Sequence, residues 1–241
     1  MANTVLITGA NRGIGFAVAQ QLGEKGWTIL LGARDQGRGQ AAVAQLQAAG
    51  IIAEWIKIDL NDPETIHTAA MTVAQAHPEL KVLVNNAGIA ADMQAAPLAT
   101  AINDLQAALQ VNVVGTFAMI KAFTPILQRN SGRIVNLTIP VNATRFFHPF
   151  SYVISKTALN KMIKLFAQSF KAQRLPVEIC GMMPGGVSTD LNGHRQSPFI
   201  RPVAEGASAV IKVVVDPRHH QGQIVTNYGL LPGLKRLLFQ H

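Results

Sequence analysis

The chain has a single cysteine, Cys180, among 241 residues. No internal disulfide can form, and a lone thiol inside the apolar stretch "VEICGMM" reads as a small buried hydrophobe. Charged residues are scarce, 14% against 49% hydrophobic, which excludes long disordered tails and leaves ample material for a large core. No group of His, Cys and Asp has metal-ligand spacing, so no metal is expected. The net charge is +8, yet no dense basic run and no nucleic-acid-binding motif accompany it. Its Lys and Arg read as a solvated surface or as an attraction for anions such as phosphate. No signal peptide fits ahead of the strand-like run that begins at Thr4, and no apolar run reaches the length of a membrane span. A soluble cytoplasmic protein is expected, with neither nucleic acid nor membrane as partner.

What is present is an alternation. "TVLITG" precedes a helix from about Ile14 to Lys25; "WTILLGA" precedes an alanine-rich helix over 36–49. "AEWIKID" precedes a helix starting near Pro63 with Asp62 as its cap. "KVLVNNAG" leads into a long helix over roughly 100–128, and "GRIVNLT" into another over roughly 151–173. "VEICGMMPGG" and "GQIVTN" complete seven strands. The strand runs are continuously apolar, as in a parallel sheet covered on both faces. Repeated βαβ units predict a doubly wound α/β sandwich, and no linker, repeat or low-complexity tract divides it, so residues 1–241 are expected to form one domain.

"TGANRGIG" joins the first strand to the first helix, with Gly9, Gly13 and Gly15. Such glycines permit a tight turn and close backbone approach to a pyrophosphate, which the helix N-terminus then attracts. At the end of the second strand, where NAD sites usually carry an acid for the ribose 2′-hydroxyl, stand Ala33 and then Arg34; Arg12 lies inside the glycine motif. Two guanidiniums suit a 2′-phosphate. Asp35, one position further, would oppose this if it turned inward.

With these motifs the chain resembles the short-chain dehydrogenase/reductase family over roughly residues 3–190. "TGANRGIG" fits the glycine motif, which includes Asn11, Arg12 and Ile14. Asp59 and Leu60 fit the adenine-contacting segment, and "NNAG", Asn85 to Gly88 with Asn86 and Ala87, fits the segment closing the fourth strand. Asn112 matches the active-site asparagine, and "YVISK" matches Y-x-x-x-K through Tyr152 and Lys156. "PGGVSTD", with Pro184, Gly185, Val187 and Thr189, matches the segment that meets the nicotinamide. The resemblance implies one Rossmann-type domain and an NADP(H)-dependent enzyme similar to NADPH-preferring carbonyl reductases. Tyr152 would be the general acid for reduction, Lys156 would lower the tyrosine pKa and hold the ribose, and Asn112 would keep a water. The family often assembles into dimers or tetramers. Independently, Tyr152 and Lys156 stand i and i+4 on one helix and share a face, and an ammonium beside a phenol pulls its pKa down.

One departure matters. The family places a serine thirteen residues before the tyrosine; here that position is Ile139, in "NLTI". Thr138 is adjacent, but strand neighbours point to opposite faces. Asn142 lies three residues on, in the loop that borders the substrate in the family; its amide can donate to a carbonyl oxygen, and a plain turn residue is an equal reading. Ile139, Phe147 and Met93, with Phe146, His148, Phe150, Phe199 and Ile200 nearby, suggest an apolar site for a small to medium carbonyl compound or the corresponding alcohol. The missing hydroxyl also leaves open a non-redox isomerase or cyclase of the same fold that retains its nicotinamide cofactor.

Overall fold

The structure is a computed structural model that describes residues 3–140, 149–189, 191, 193 and 200–226. In chain order its elements are β1 (Thr4–Thr8), α1 (Gly13–Gly23), β2 (Thr28–Ala33), α2 (Gln36–Ala48), β3 (Ala53–Lys57), α3 (Pro63–Ala76) and β4 (Leu80–Asn85). There follow α4 (Ile102–Leu109), a π-helical turn (Gln110–Gly115), α5 (Thr116–Arg129), β5 (Arg133–Leu137) and α6 (Phe150–Ala172). The described part ends with β6 (Glu178–Met183), β7 (Gly186–Val187), β8 (Ile200–Arg201), α7 (Val203–Val214) and β9 (Ile224–Thr226).

Seven strands form one parallel sheet in the order β3-β2-β1-β4-β5-β6-β9. Alternation along each strand builds the two layers. In β1, Val5 and Ile7 face the core shared with α1, α2 and α7, while Leu6 faces the core shared with α3, α5 and α6. The chain winds outward from β1 in one direction and from β4 in the other. The crevice at the carboxyl ends of β1 and β4 is therefore the topological switch point, where ligands bind in such sheets. The doubly wound α/β fold and its seven strands agree with the sequence.

The helix expected over 100–128 runs from Ile102 to Arg129 with a π turn between α4 and α5. Two details differ from the sequence reading. Contrary to the expectation that no apolar run would be long enough, an 18-residue window within Ile102–Arg129 reaches a mean hydropathy of 1.3, by length and composition enough to cross a membrane. It packs instead: Met119, Ile120, Phe123, Ile126 and Leu127 are buried against the sheet. Finally, the strand expected through Pro184 and Gly185 stops at Met183, and a separate two-stranded ribbon, Gly186↔Ile200 and Val187↔Arg201, follows. Asp62 caps α3 as expected, its carboxylate accepting from the Glu64 amide.

Candidate active site

The turn after β1 places Gly9 and Gly13 at φ of 63° and 56°, in the left-handed region that favours glycine. Gly15 is required for a different reason: a Cβ there would lie 2.5 Å from Asn86 Nδ2 and 2.7 Å from the Gly9 carbonyl oxygen. Asn86 ties this turn to the end of β4. Its Nδ2 donates to the carbonyls of Thr8 (2.8 Å) and Gly9 (3.2 Å), and the amides of Asn86 and Ala87 both donate to Thr8 Oγ1. Helix α1 begins here with no side-chain cap and no acid in its first turn, so its N–H dipoles face the crevice. Thr189 returns to the same place: its methyl lies 3.8 Å from where a Gly13 Cβ would be. Bare backbone and an uncapped helix N-terminus with no acid in its first turn make a cradle that fits a dinucleotide diphosphate.

Beside it, Ala33 is buried at the end of β2 and Arg34 is exposed. Asp35 does not turn inward; its carboxylate caps α2 by accepting from the Arg38 amide at 2.8 Å. Asn11, Arg12 and Arg38 line an open groove of about 370 Å3 together with Ala41, Ala42 and Gln45. Arg38 was missed in the sequence, although it follows Arg34 by four positions in the first turn of the next helix. The guanidiniums of Arg34 and Arg38 have no partner among the described residues. Asp59 Oδ1 accepts from the Asn61 amide, and buried Leu60 presses on Gly115, where a Cβ would fall 2.5 Å from the Leu60 carbonyl oxygen.

At the other end of the crevice, α6 presents Tyr152 and Lys156 side by side, Lys156 being 4% exposed. Lys156 Nζ donates to the Leu137 carbonyl at 2.8 Å and lies 5.8 Å from the centre of the Tyr152 ring. Gly88 closes over it: a Cβ there would meet Asn112 Oδ1 at 2.9 Å and Lys156 Nζ at 3.5 Å. Asn112 is fully buried in the π turn. Its Nδ2 donates to the Ile89 carbonyl (2.8 Å) and to Ser155 Oγ (2.9 Å), and its Oδ1 accepts from the Ile89 amide (2.9 Å). Ser155, not anticipated, donates in turn to the Tyr152 carbonyl. The π turn thus clasps the chain after β4 to the turn of α6 that carries the tyrosine.

Burial pushes the Tyr152 phenol up to about 12 and the Lys156 ammonium down to about 8. This corrects the expectation that Lys156 would pull the phenol down. The ammonium is turned to the Leu137 carbonyl and lies over the ring rather than against the hydroxyl, so desolvation outweighs its attraction.

The sequence gap is real in space. Ile139 is buried and packs with Val153 against Tyr152. Thr138 faces away: its hydroxyl donates to Asn160 Oδ1 at 2.7 Å, while Asn160 Nδ2 donates to the Ile139 carbonyl at 3.1 Å. Asn160 therefore fixes both residues of the gap. Its signal was its position four residues after Lys156, on the same helical face. The Tyr152 hydroxyl has no hydrogen-bond partner among the described residues. Met93 is half-buried but not part of the Ile139–Val153–Tyr152 cluster. Asn142, Phe146, Phe147, His148, Phe199 and the tail after Thr226 lie outside the described residues.

Comparison with known proteins returns the same pattern. Residues 3–198 match the profile of the family described as short chain dehydrogenase. The chain is 31% identical to short-chain dehydrogenase anuI of Penicillium roqueforti (strain FM164), covering 94% of this chain and 95% of the relative. It is 29% identical to human carbonyl reductase (NADPH) 3, covering 93% and 96%. Among solved structures, a short chain dehydrogenase from Burkholderia cenocepacia J2315 in complex with NADP superposes with a TM-score of 0.80 at 28% identity, covering 94% of this chain and 96% of that one.

Proposed function

From the premise that this chain belongs to the short-chain dehydrogenase family, we propose that it is an NADP(H)-dependent oxidoreductase interconverting a ketone or aldehyde and its alcohol, on a small to medium apolar substrate. The observation that carries the reading is the convergence of Tyr152, Lys156, Asn112 and Gly88 at the switch point that also holds the glycine cradle. NADP-bound and NADPH-named relatives support the cofactor, as does the absence of an acid at Ala33 beside Arg34, Arg12 and Arg38. Gly9, Gly13, Gly15, Asn11 and Ile14 take the diphosphate side. Asp59, Leu60 and Asn86–Gly88 flank the adenosine and ribose. Pro184, Gly185, Val187 and Thr189 border the nicotinamide.

A nicotinamide cofactor held by these residues would supply the hydride. Tyr152 supplies the proton: with a pKa of about 12 its phenol stays protonated at neutral pH and donates to the carbonyl oxygen as the alcohol forms. Lys156, protonated below about 8 and anchored by the Leu137 carbonyl, offsets the charge left on the tyrosine oxygen. Asn112 and Ser155 hold the tyrosine's turn against the β4 end. Ile139 forms an apolar wall, and we assign Asn142 as the donor nearest by sequence to the substrate oxygen.

The test is NADPH consumption over a panel of ketones and aldehydes. Turnover of apolar members supports the reading; binding of NADPH with no consumption on any member would transfer the site to the isomerase or cyclase reading. Ile139 in place of a hydroxyl is the observation that favours that second reading.

A further inference from the structure

We propose that Trp55 is a positioning residue for cofactor choice. Its indole locks the end of β2 to the first turn of α2 and so sets where Arg34 and Arg38 stand for the 2′-phosphate of NADPH. The inference rests on the reading of that groove as the 2′-phosphate end.

Trp55 sits mid-strand in β3, in register with Leu31 of β2, and its side chain joins the core under α1 and α2. Its Nε1–H donates to the Ala33 carbonyl at 3.1 Å. That carbonyl also accepts from the Ile58 amide, so the last peptide of β2 is held from two sides. The pyrrole edge of the same indole lies against Gly39: a Cβ on Gly39 would fall 2.2 Å from Trp55 Cδ1 and 2.4 Å from Nε1. Glycine is a poor helix former, and here it is the residue that lets the helix close onto the ring. The Gly39 amide donates to the Asp35 carbonyl, and Asp35 Oδ1 accepts from the Arg38 amide. Residues 33 to 39 are thus one tied unit, pinned at both ends by one side chain. Arg34 is exposed at the start of this unit, and Arg38 in its helical turn lines the groove, of which Trp55 itself lines no part. Its action is therefore on the placement of the two guanidiniums, which a phosphate needs and a 2′-hydroxyl does not.

The experiment uses the full chain with 2′,5′-ADP and 5′-AMP as probes, titrated by calorimetry, together with KM and kcat for NADPH and NADH. Trp55→Phe keeps an aromatic ring but removes the N–H. It is expected to weaken 2′,5′-ADP binding roughly fivefold, the worth of one neutral hydrogen bond, with 5′-AMP binding and kcat unchanged. Gly39→Ala, which forces the helix off the indole, is expected to produce a larger loss of the same selectivity. An Arg34→Ala/Arg38→Ala double variant tests the underlying reading: if it leaves 2′,5′-ADP affinity unchanged, the groove is not the 2′-phosphate end. If the arginines matter but Trp55→Phe and Gly39→Ala shift both probes equally, or neither, the Trp55 proposal is overturned. Should those variants fail to fold, Trp27→Phe leaves Trp55 as the one tryptophan. Its fluorescence should then respond to 2′,5′-ADP and not to 5′-AMP; equal responses would overturn the proposal.

Discussion

At the β2 end of the crevice Arg34 and Arg38 hold their guanidiniums without a partner among the described residues, and α1 begins without a cap. At the β5 end the reverse holds. Asn112, Thr138, Ser155, Lys156 and Asn160 each bond one another or the backbone, and the Tyr152 hydroxyl alone among these side chains stands unengaged by the described residues. The contrast follows from what each end does. Anion binding needs donors held in reserve, because the ligand completes them. Proton transfer needs one group placed within tenths of an ångström, so its neighbours are tied down and the reacting hydroxyl is left for the substrate.

The comparison breaks most easily at its reactive end. Tyr152→Phe should lower turnover by roughly 10²–10⁴-fold with NADPH affinity nearly intact, because the phenol acts on the substrate. Steady-state rates alongside cofactor titration check this, and wild-type turnover would refute the assignment. At the binding end Arg38→Ala should weaken NADPH by roughly 10–100-fold while leaving NADH unchanged, in line with charged hydrogen bonds worth about 1.5–3 kcal/mol. Equal losses for both cofactors would erase the distinction between the two ends.

Three smaller effects sharpen it. Lys156 has its pKa depressed by burial, so its charged form is present below about 8 and is lost as pH rises through that value. The reduction rate should fall across that same window, and Lys156→Arg should move or remove the fall. Asn160→Leu leaves the Ile139 carbonyl without its side-chain donor and the Thr138 hydroxyl with only the Lys156 carbonyl at 3.5 Å, at about 1–3 kcal/mol, readable as a lowered denaturant midpoint. The smallest effect is expected from Ile139→Ser: a gain of a few-fold on ordinary ketones, well below the roughly 10²–10³ of a preorganised oxyanion donor, because nothing yet orients the new hydroxyl. A loss instead would show that the isoleucine shapes an apolar pocket.

How much of this was readable beforehand depends on whether a residue's reason is local. Gly9, Gly13 and Gly15 were legible because a turn with positive φ and close approach permits little else. The direction of Thr138 was legible from strand alternation, which holds one residue past β5 because the Thr138 amide still donates to the Met182 carbonyl. Asn160, Ser155 and Trp55 were not, since their reasons lie across the fold: Asn160 answers a strand more than twenty residues earlier, and Trp55 answers a glycine on the neighbouring helix. Arg38 was overlooked because a charged residue in a first helical turn has an ordinary explanation as solvated surface. The tyrosine pKa was misread because the i, i+4 spacing reports a shared face but not the carbonyl toward which the lysine turns.

The π turn at Gln110–Gly115 has a consequence for chain length. In a regular α-helix each residue advances the side chain by about 100°, so an added residue in one turn rotates everything after it by about that amount relative to everything before. Ala108 before the turn, Asn112 within it and Met119, Ile120 and Phe123 after it are all buried. Deleting one residue within the turn, even one that touches nothing, would restore a continuous helix and swing the Asn112 amide away from Ile89 and Ser155. In this stretch a frame-preserving deletion is more damaging than most substitutions, and relatives that keep the clasp are expected to keep the residue count between the β4 end and α5 as strictly as they keep the asparagine.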